Sequence, residues 1–421
     1  MDCLLFLFQV GFRTYFIYLN IFPMDIKTST PAHRIESIDF TRGLVMIIMA
    51  LDHVRMYFAL GTWYSEPTNL ATTTPLLFFT RWITHFCAPV FVFLAGTSAF
   101  LYGMRKENIK ETSQYLFTRG LWLIFVELLI VNFAWTFDIT YSFRILQVIW
   151  AIGVSMVALS AFVFLPKRLI LTIGLILVFG HNLLDSIGFQ GSSARDVIWY
   201  ALHQAKAVFI DSTHVINFVY PVLPWIGLMA LGYVFGSFYQ KEVLADQRRS
   251  KTLIIGLGAT VLFILLRGFN LYGEPHHWFP QKSVALSLMS FLNTTKYPPS
   301  LHFLLMTMGP ALIFLSRIES VANRLTKLVI VFGRVPFFFY VLHLYVIHAL
   351  AMLLLVYKDR DWHEYILSAR RIMSGRLSDF GLSLGAVYLI WILIVLLLFP
   401  ICMWYQTYRQ NNPSKWWLSY L

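Results

Sequence analysis

Apolar runs of about 20 residues recur along almost the whole chain, and that length is what a helix needs to cross roughly 30 Å of hydrocarbon. Of the 421 residues, 58% are hydrophobic and only 13% are charged, too apolar a balance for a soluble globule to hide. The expected fold is therefore all-α: a polytopic membrane helix bundle with about ten transmembrane helices. The predicted spans are residues 35–60, 76–102, 119–137, 143–165, 168–184, 218–239, 252–270, 300–316, 327–357 and 382–406. Segment 1–23 is also apolar, but Arg13 lies near its middle, so an eleventh helix is not counted. The expected organisation is an N-terminal segment (1–33), a transmembrane domain (34–408) and a short tail (409–421).

The formal charge of +12 does not point to nucleic acid, because the basic residues are scattered in short segments between apolar runs. Lys27 and Arg34, Arg105, Lys106 and Lys110, Lys167 and Arg168, and Lys241 to Lys251 place alternate connections on the cytoplasmic side, with the N-terminal end of the first counted span cytoplasmic. Residues 61–75 hold no Lys or Arg and fit the outer side; Lys358, Arg360, Arg370, Arg371 and Arg376 run against the rule. Long external connections at 185–217, 271–299 and 358–381 are expected to cap a site opening outward; solvated loops with interfacial aromatic anchors are the alternative. Cys3, Cys87 and Cys402 have neither disulfide nor zinc spacing, and no metal is expected.

Within the spans the informative residues are the ionisable ones. Each costs at least about 2.5–3.5 kcal/mol at mid-bilayer, so such groups usually face a protein interior and have a role. In the first span Asp39 and Arg42 are three apart and share a face near the cytoplasmic end, while Asp52 and His53 lie about 16 Å further along. Arg81 and His85 open the second span, which places His85 at a depth similar to His53. His343 and His348 occupy the outer half of the ninth span, about 140° apart around the helix, so one of them is expected to face the same cavity. Glu127, Arg144 and Gln147 add buried polarity. Histidine suits proton transfer, and an adjacent carboxylate can hold its tautomer. The expected catalytic set is thus His53, Asp52 and His85; Arg42 and Asp39 would serve an anionic co-substrate, and Arg81, Gln147, His343 and His348 the acceptor. His181 and Asp185, in HNLLD, form a short pattern that arises often by chance, and adjacent His276 and His277 lack metal-site spacing.

The stretches RIESIDFTRGLVMIIMALDH, FTRWITHFCAPVFVFLAG, RILQVIWAIG, PVLPWIGLMALGYVFG, NTTKYPPSLHFLLMTMGP and FGRVPFFFYVLHLYVIH resemble bacterial relatives of heparan-alpha-glucosaminide N-acetyltransferase, from about Arg34 onward. The resemblance implies a ten- or eleven-helix bundle of the bacterial inner membrane that takes acetyl from cytosolic acetyl-CoA and delivers it to a sugar or glycan acceptor on the far side. Related sugar O-acetylases carry an Arg-Gly pair in the first helix and an essential His eleven residues after the Arg, a spacing that Arg42, Gly43 and His53 reproduce. In the heparan enzyme the catalytic His is placed just after the first helix. Val54–Thr84 holds no His here, so the role falls to His53 or His85. The alternative expectation, a proton-coupled transporter, would favour repeated halves, and no second copy of the Arg-Gly to His pattern occurs.

Overall fold

The computed structural model describes residues 35–61, 65–319, 323–375 and 377–419. The expected N-terminal segment 1–33, with its candidate eleventh helix, lies outside the described residues. The bundle is built from α1 (Glu36–Phe58), α2 (Pro75–Ile83), α3 (Cys87–Lys106), α4 (Ile109–Val126), α5 (Asn132–Thr136), α6 (Val148–Phe162), α7 (Lys167–Gly180), α8 (Ala194–Leu202), α9 (Leu223–Gly236), α10 (Ala245–Gly268), α11 (Val284–Leu292), α12 (Leu301–Ile318), α13 (Arg324–Arg334), α14 (Pro336–Tyr357), α15 (Ala369–Ser374) and α16 (Leu384–Asn411). Starts are set by side-chain caps: Thr74 accepts the Leu77 amide ahead of Pro75, Asn108 those of Lys110 and Glu111, and Ser300 that of Phe303.

Seven continuous helical stretches are long and apolar enough to cross a bilayer. The remaining three expected spans fall short for different reasons: α1 is long but carries Glu36, Asp39, Arg42, Asp52 and Arg55, whereas α6 and α9 are short. Large apolar side chains such as Ile254, Leu257, Val261 and Ile264 on α10 stay exposed, as a lipid-facing helix requires. The chain is an integral membrane protein.

Two expectations are corrected. The segment expected as a span over 143–165 begins as a strand, β1 (Phe143–Leu146), which pairs in parallel with β3 (Val215–Phe218); β3 in turn pairs antiparallel with β2 (Lys206–Phe209). Arg144 consequently sits in a small sheet rather than inside a helix. The cause is local: Asn132 accepts the Ile145 amide (2.6 Å) and donates to the Ile145 carbonyl (3.0 Å), acting as a neighbouring strand for that residue. The span expected over 327–357 is two helices, because Pro336 lacks an amide hydrogen and α13 ends at Arg334. The connections 185–217, 271–299 and 358–381 are structured, carrying α8 with β2 and β3, α11, and α15.

Helix α1 runs through the bundle against α3, α13, α14 and α16. It touches α13 backbone to backbone, since a Cβ on Gly333 would overlap the Asp39 carbonyl and one on Gly43 the Val329 carbonyl. Small residues at such crossings are how membrane helices gain packing without a hydrophobic driving force.

Candidate active site

Successive residues of a helix diverge by about 100°, so α1 turns its adjacent Asp52 and His53 toward different neighbours. His53 faces α14. There His343 places Nδ1 2.9 Å from the Phe339 carbonyl, which can only accept, so Nδ1 carries the proton and Nε2 the lone pair. That lone pair lies 2.7 Å from His53 Nδ1, which must therefore donate. The chain of donors leaves His53 Nε2 unprotonated, the form a general base needs. The two rings lie 5.0 Å apart and nearly parallel; Trp135 meets His53 edge-on at 4.9 Å, and Tyr340 likewise at 6.2 Å. His53 and His343 are both buried, as are the Trp135 indole N–H and the Tyr340 hydroxyl, which lie within hydrogen-bonding reach of each other.

Among the described residues no hydrogen bond joins His53 to Asp52. Its carboxylate is held by Arg55, one turn along the same helix at 3.0 Å, and by Arg81 of α2. Arg81 is further placed by Thr84 and by Tyr297, each at 3.5 Å. Lys296 is nine-tenths buried beside Tyr297 and within electrostatic range of Asp52, His53 and His85. The locality thus collects Arg55, Arg81 and Lys296 around the Asp52 carboxylate, with Glu66 also within electrostatic range of Arg55.

His85 occupies a 3-10 turn (Thr84–Phe86) between α2 and α3, its ring 5.4 Å from Phe303 of α12. No hydrogen bond or ring contact joins it to His53 among the described residues, and its buried Nδ1 has no partner there. His348 turns away from His53: Nδ1 lies 2.9 Å from the Ala134 carbonyl and Nε2 2.7 Å from that of Tyr365, so it ties α14 to α5 and to the 358–381 connection. Gln147 precedes α6 and gives its backbone amide to Glu127 Oε1 at 3.0 Å. Glu127 opens a π-helical turn (Glu127–Val131), and Asn132 donates to its carbonyl at 2.6 Å.

At the other end of α1, Arg42 reaches Asp39 (3.1 Å), Ser98 of α3 (2.8 Å) and the Gly333 carbonyl (3.3 Å). Asp39 also lies 3.8 Å from Arg334, and Arg409 of α16 donates to the Arg334 carbonyl at 2.7 Å. Three arginines from three helices therefore converge near the start of α1.

The sequence reading missed Arg55, Lys296, Trp135 and Tyr340. Arg55 was accessible from its i+3 spacing to Asp52. Lys296 stood in a connection whose folding inward no local pattern announces, and Trp135 and Tyr340 resemble ordinary interfacial aromatics.

These features define an integral membrane helix bundle with a tautomer-fixed imidazole pair at its centre and arginines at one end. Residues 34–272 match the family model of heparan-alpha-glucosaminide N-acetyltransferase, catalytic, and the chain belongs to that family of membrane acetyltransferases. The match includes Asp39, Arg42, Asp52, His53, Arg81, His85 and Gln147 and ends before His343. No curated protein matches the chain.

Proposed function

We propose that the protein transfers an acetyl group from cytosolic acetyl-CoA to a sugar or glycan acceptor on the far side of a bacterial inner membrane, with His53 as general base. The observation that carries this reading is the lone pair left on His53 Nε2 by the Phe339–His343–His53 chain. In the step, His53 Nε2 takes the proton of an acceptor hydroxyl or amine as that atom attacks the thioester carbonyl. The C–S bond then breaks, and coenzyme A leaves as a thiolate that recovers a proton. The Tyr340 hydroxyl, which the Trp135 indole N–H can orient, supplies a donor for the developing oxyanion, a term worth about 2.7–4 kcal/mol in comparable sites. Arg42, with Asp39 positioning it and Arg334 beside it, suits the phosphates of the coenzyme. Arg81 and Lys296 suit the acceptor, with Asp52 holding Arg81 in place and His85 close to the same charges.

The test is incorporation of label from radiolabelled acetyl-CoA into cell-envelope glycans by the purified protein, against His53→Ala. Loss of a general base costs about 10²–10⁴ in rate. Equal incorporation by the two proteins would sink the assignment.

A further inference from the structure

A second cluster of chemistry-bearing side chains stands apart from His53, where the chain leaves α7. The last turn of that helix tightens into a 3-10 turn (His181–Leu184), which brings His181 and Asp185 to one place. The C-cap of α8 delivers His203 to the same place. One ligand-type atom from each of His181, Asp185 and His203 lies within 4.8 Å of the other two. His203 Nε2 and Asp185 Oδ1 are 3.0 Å apart, and the two imidazole rings meet edge-on at 5.7 Å.

Two further observations point to a ligand. His181 is 97% buried, at 3% exposure, yet neither of its ring nitrogens has a hydrogen-bond partner among the described residues. Leaving such a group unsatisfied costs about 1–3 kcal/mol. In addition, Asp185 is already oriented from behind, because Asn182 donates to its other oxygen at 2.8 Å while accepting the first amide of α12, that of Leu301, at 3.0 Å. Ligating carboxylates and imidazoles in metal sites are held by outer partners of this kind.

We propose that His181, Asp185 and His203 form a binding site for a zinc-type divalent cation. Two imidazoles and a carboxylate select a borderline cation over calcium or magnesium, which prefer all-oxygen sets. Tetrahedral coordination at about 2.0–2.2 Å sets ligand atoms roughly 3.3 Å apart, close to the present His203–Asp185 separation and a short inward movement for His181. Asp185 is the exposed member of the three, so the fourth position opens to solvent and takes water. The cation would pin α8, and with it the β2–β3 unit, to the end of α7. This proposal is independent of the acetyltransferase reading.

The experiment uses the full chain in detergent, stripped with chelator and titrated with Co²⁺ and Zn²⁺. The expected result is one Co²⁺ per chain with the visible absorption of a tetrahedral site, displaced by Zn²⁺, and a rise in the thermal midpoint. His181→Ala and His203→Gln each weaken binding at least about tenfold, and His276→Ala leaves it unchanged. Absence of a tetrahedral spectrum in the unsubstituted protein overturns the proposal without reference to any variant. So does undiminished binding by a monodisperse His181→Ala or His203→Gln protein.

Discussion

Replacing His343 by leucine tests the imidazole pair most directly. In the native arrangement His53 Nδ1 donates to His343 Nε2 at 2.7 Å, and this bond decides which nitrogen of His53 keeps its lone pair. Leucine removes the acceptor at little cost in volume. A hydrogen bond of this type contributes about 0.5–1.5 kcal/mol net, which alone shifts the tautomer balance about two- to tenfold against the reactive form. The buried Nδ1–H is then left without a partner at about 1–3 kcal/mol, a penalty the ring escapes by turning out of position. Together, at about 1.5–4.5 kcal/mol, these predict a turnover roughly 10- to 2,000-fold below the native value, overlapping the lower part of the 10²–10⁴ expected for His53→Ala. His343→Gln separates tautomer control from bulk, because its amide oxygen can accept from His53 while its NH₂ donates to the Phe339 carbonyl. It should recover most of the loss. The assay is single-turnover transfer from radiolabelled acetyl-CoA, with size-exclusion behaviour as the folding control. Equal damage from leucine and glutamine would refute tautomer control. Full multiplication of the two losses in His53→Ala/His343→Leu would refute it too, because residues acting as a unit are strongly non-additive.

Other expectations follow from the surroundings of the pair. Asp52→Ala removes the carboxylate that Arg55 and Arg81 share in a buried place and should destabilise the protein by up to about 3–5 kcal/mol. Its thermal midpoint should thus fall well below that of His53→Gln, and the reverse order would restore Asp52 to a direct role in the chemistry. Gly333→Ala drives a methyl into the Asp39 carbonyl and should abolish accumulation of folded protein, whereas Gly258→Ala, which meets open space, should not; fluorescence-detected size exclusion reads both. Asp138, beyond the membrane segments, is pushed up by partial burial, but hydrogen bonds from Ser142 and Thr140 outweigh this and hold its carboxyl below the ordinary value. A carboxylate depressed by folding stabilises above its unfolded pKa of about 3.9 and loses that contribution as pH falls through the folded value. The midpoint difference between native protein and Asp138→Asn should accordingly hold steady near neutrality and shrink below about pH 4; a difference constant with pH would show that the turn does not depend on the charge.

The membrane architecture was legible because hydrophobic length is a one-dimensional signal: all seven long apolar helices coincide with expected spans, within a few residues at most ends. The misreadings arose where a polar side chain or a proline changed the backbone. Nothing in an apolar run tells that Asn132 will bind Ile145 as a strand would, so Phe143–Leu146 read as the start of a helix. Pro336 was visible, but a proline at the first position of a new helix and one kinking a continuous helix give the same pattern. The sheet joins residues some 70 positions apart, a pairing that no local periodicity encodes.

The site was legible as a list of costly residues and only in part as a set of partnerships. Adjacency suggested that Asp52 serves His53, but on a helix adjacency is nearly the worst geometry for meeting, and the partners come from i+3 or from other helices. The charges of α1 therefore sort by angle. Asp39 and Arg42 share one face with α13 and α3, Asp52 and Arg55 turn to Arg81 on α2, and His53 alone turns to α14. This sorting separates the carboxylate from the proposed base: Asp52 is held between two arginines, while the His53 tautomer is set by the imidazole of His343. Had Asp52 held His53 instead, the carboxylate would favour the imidazolium, a poor base, and Arg81 would lose its counterion. Arginine at 55 and 81 is thus as much a condition of the proposed chemistry as histidine at 53.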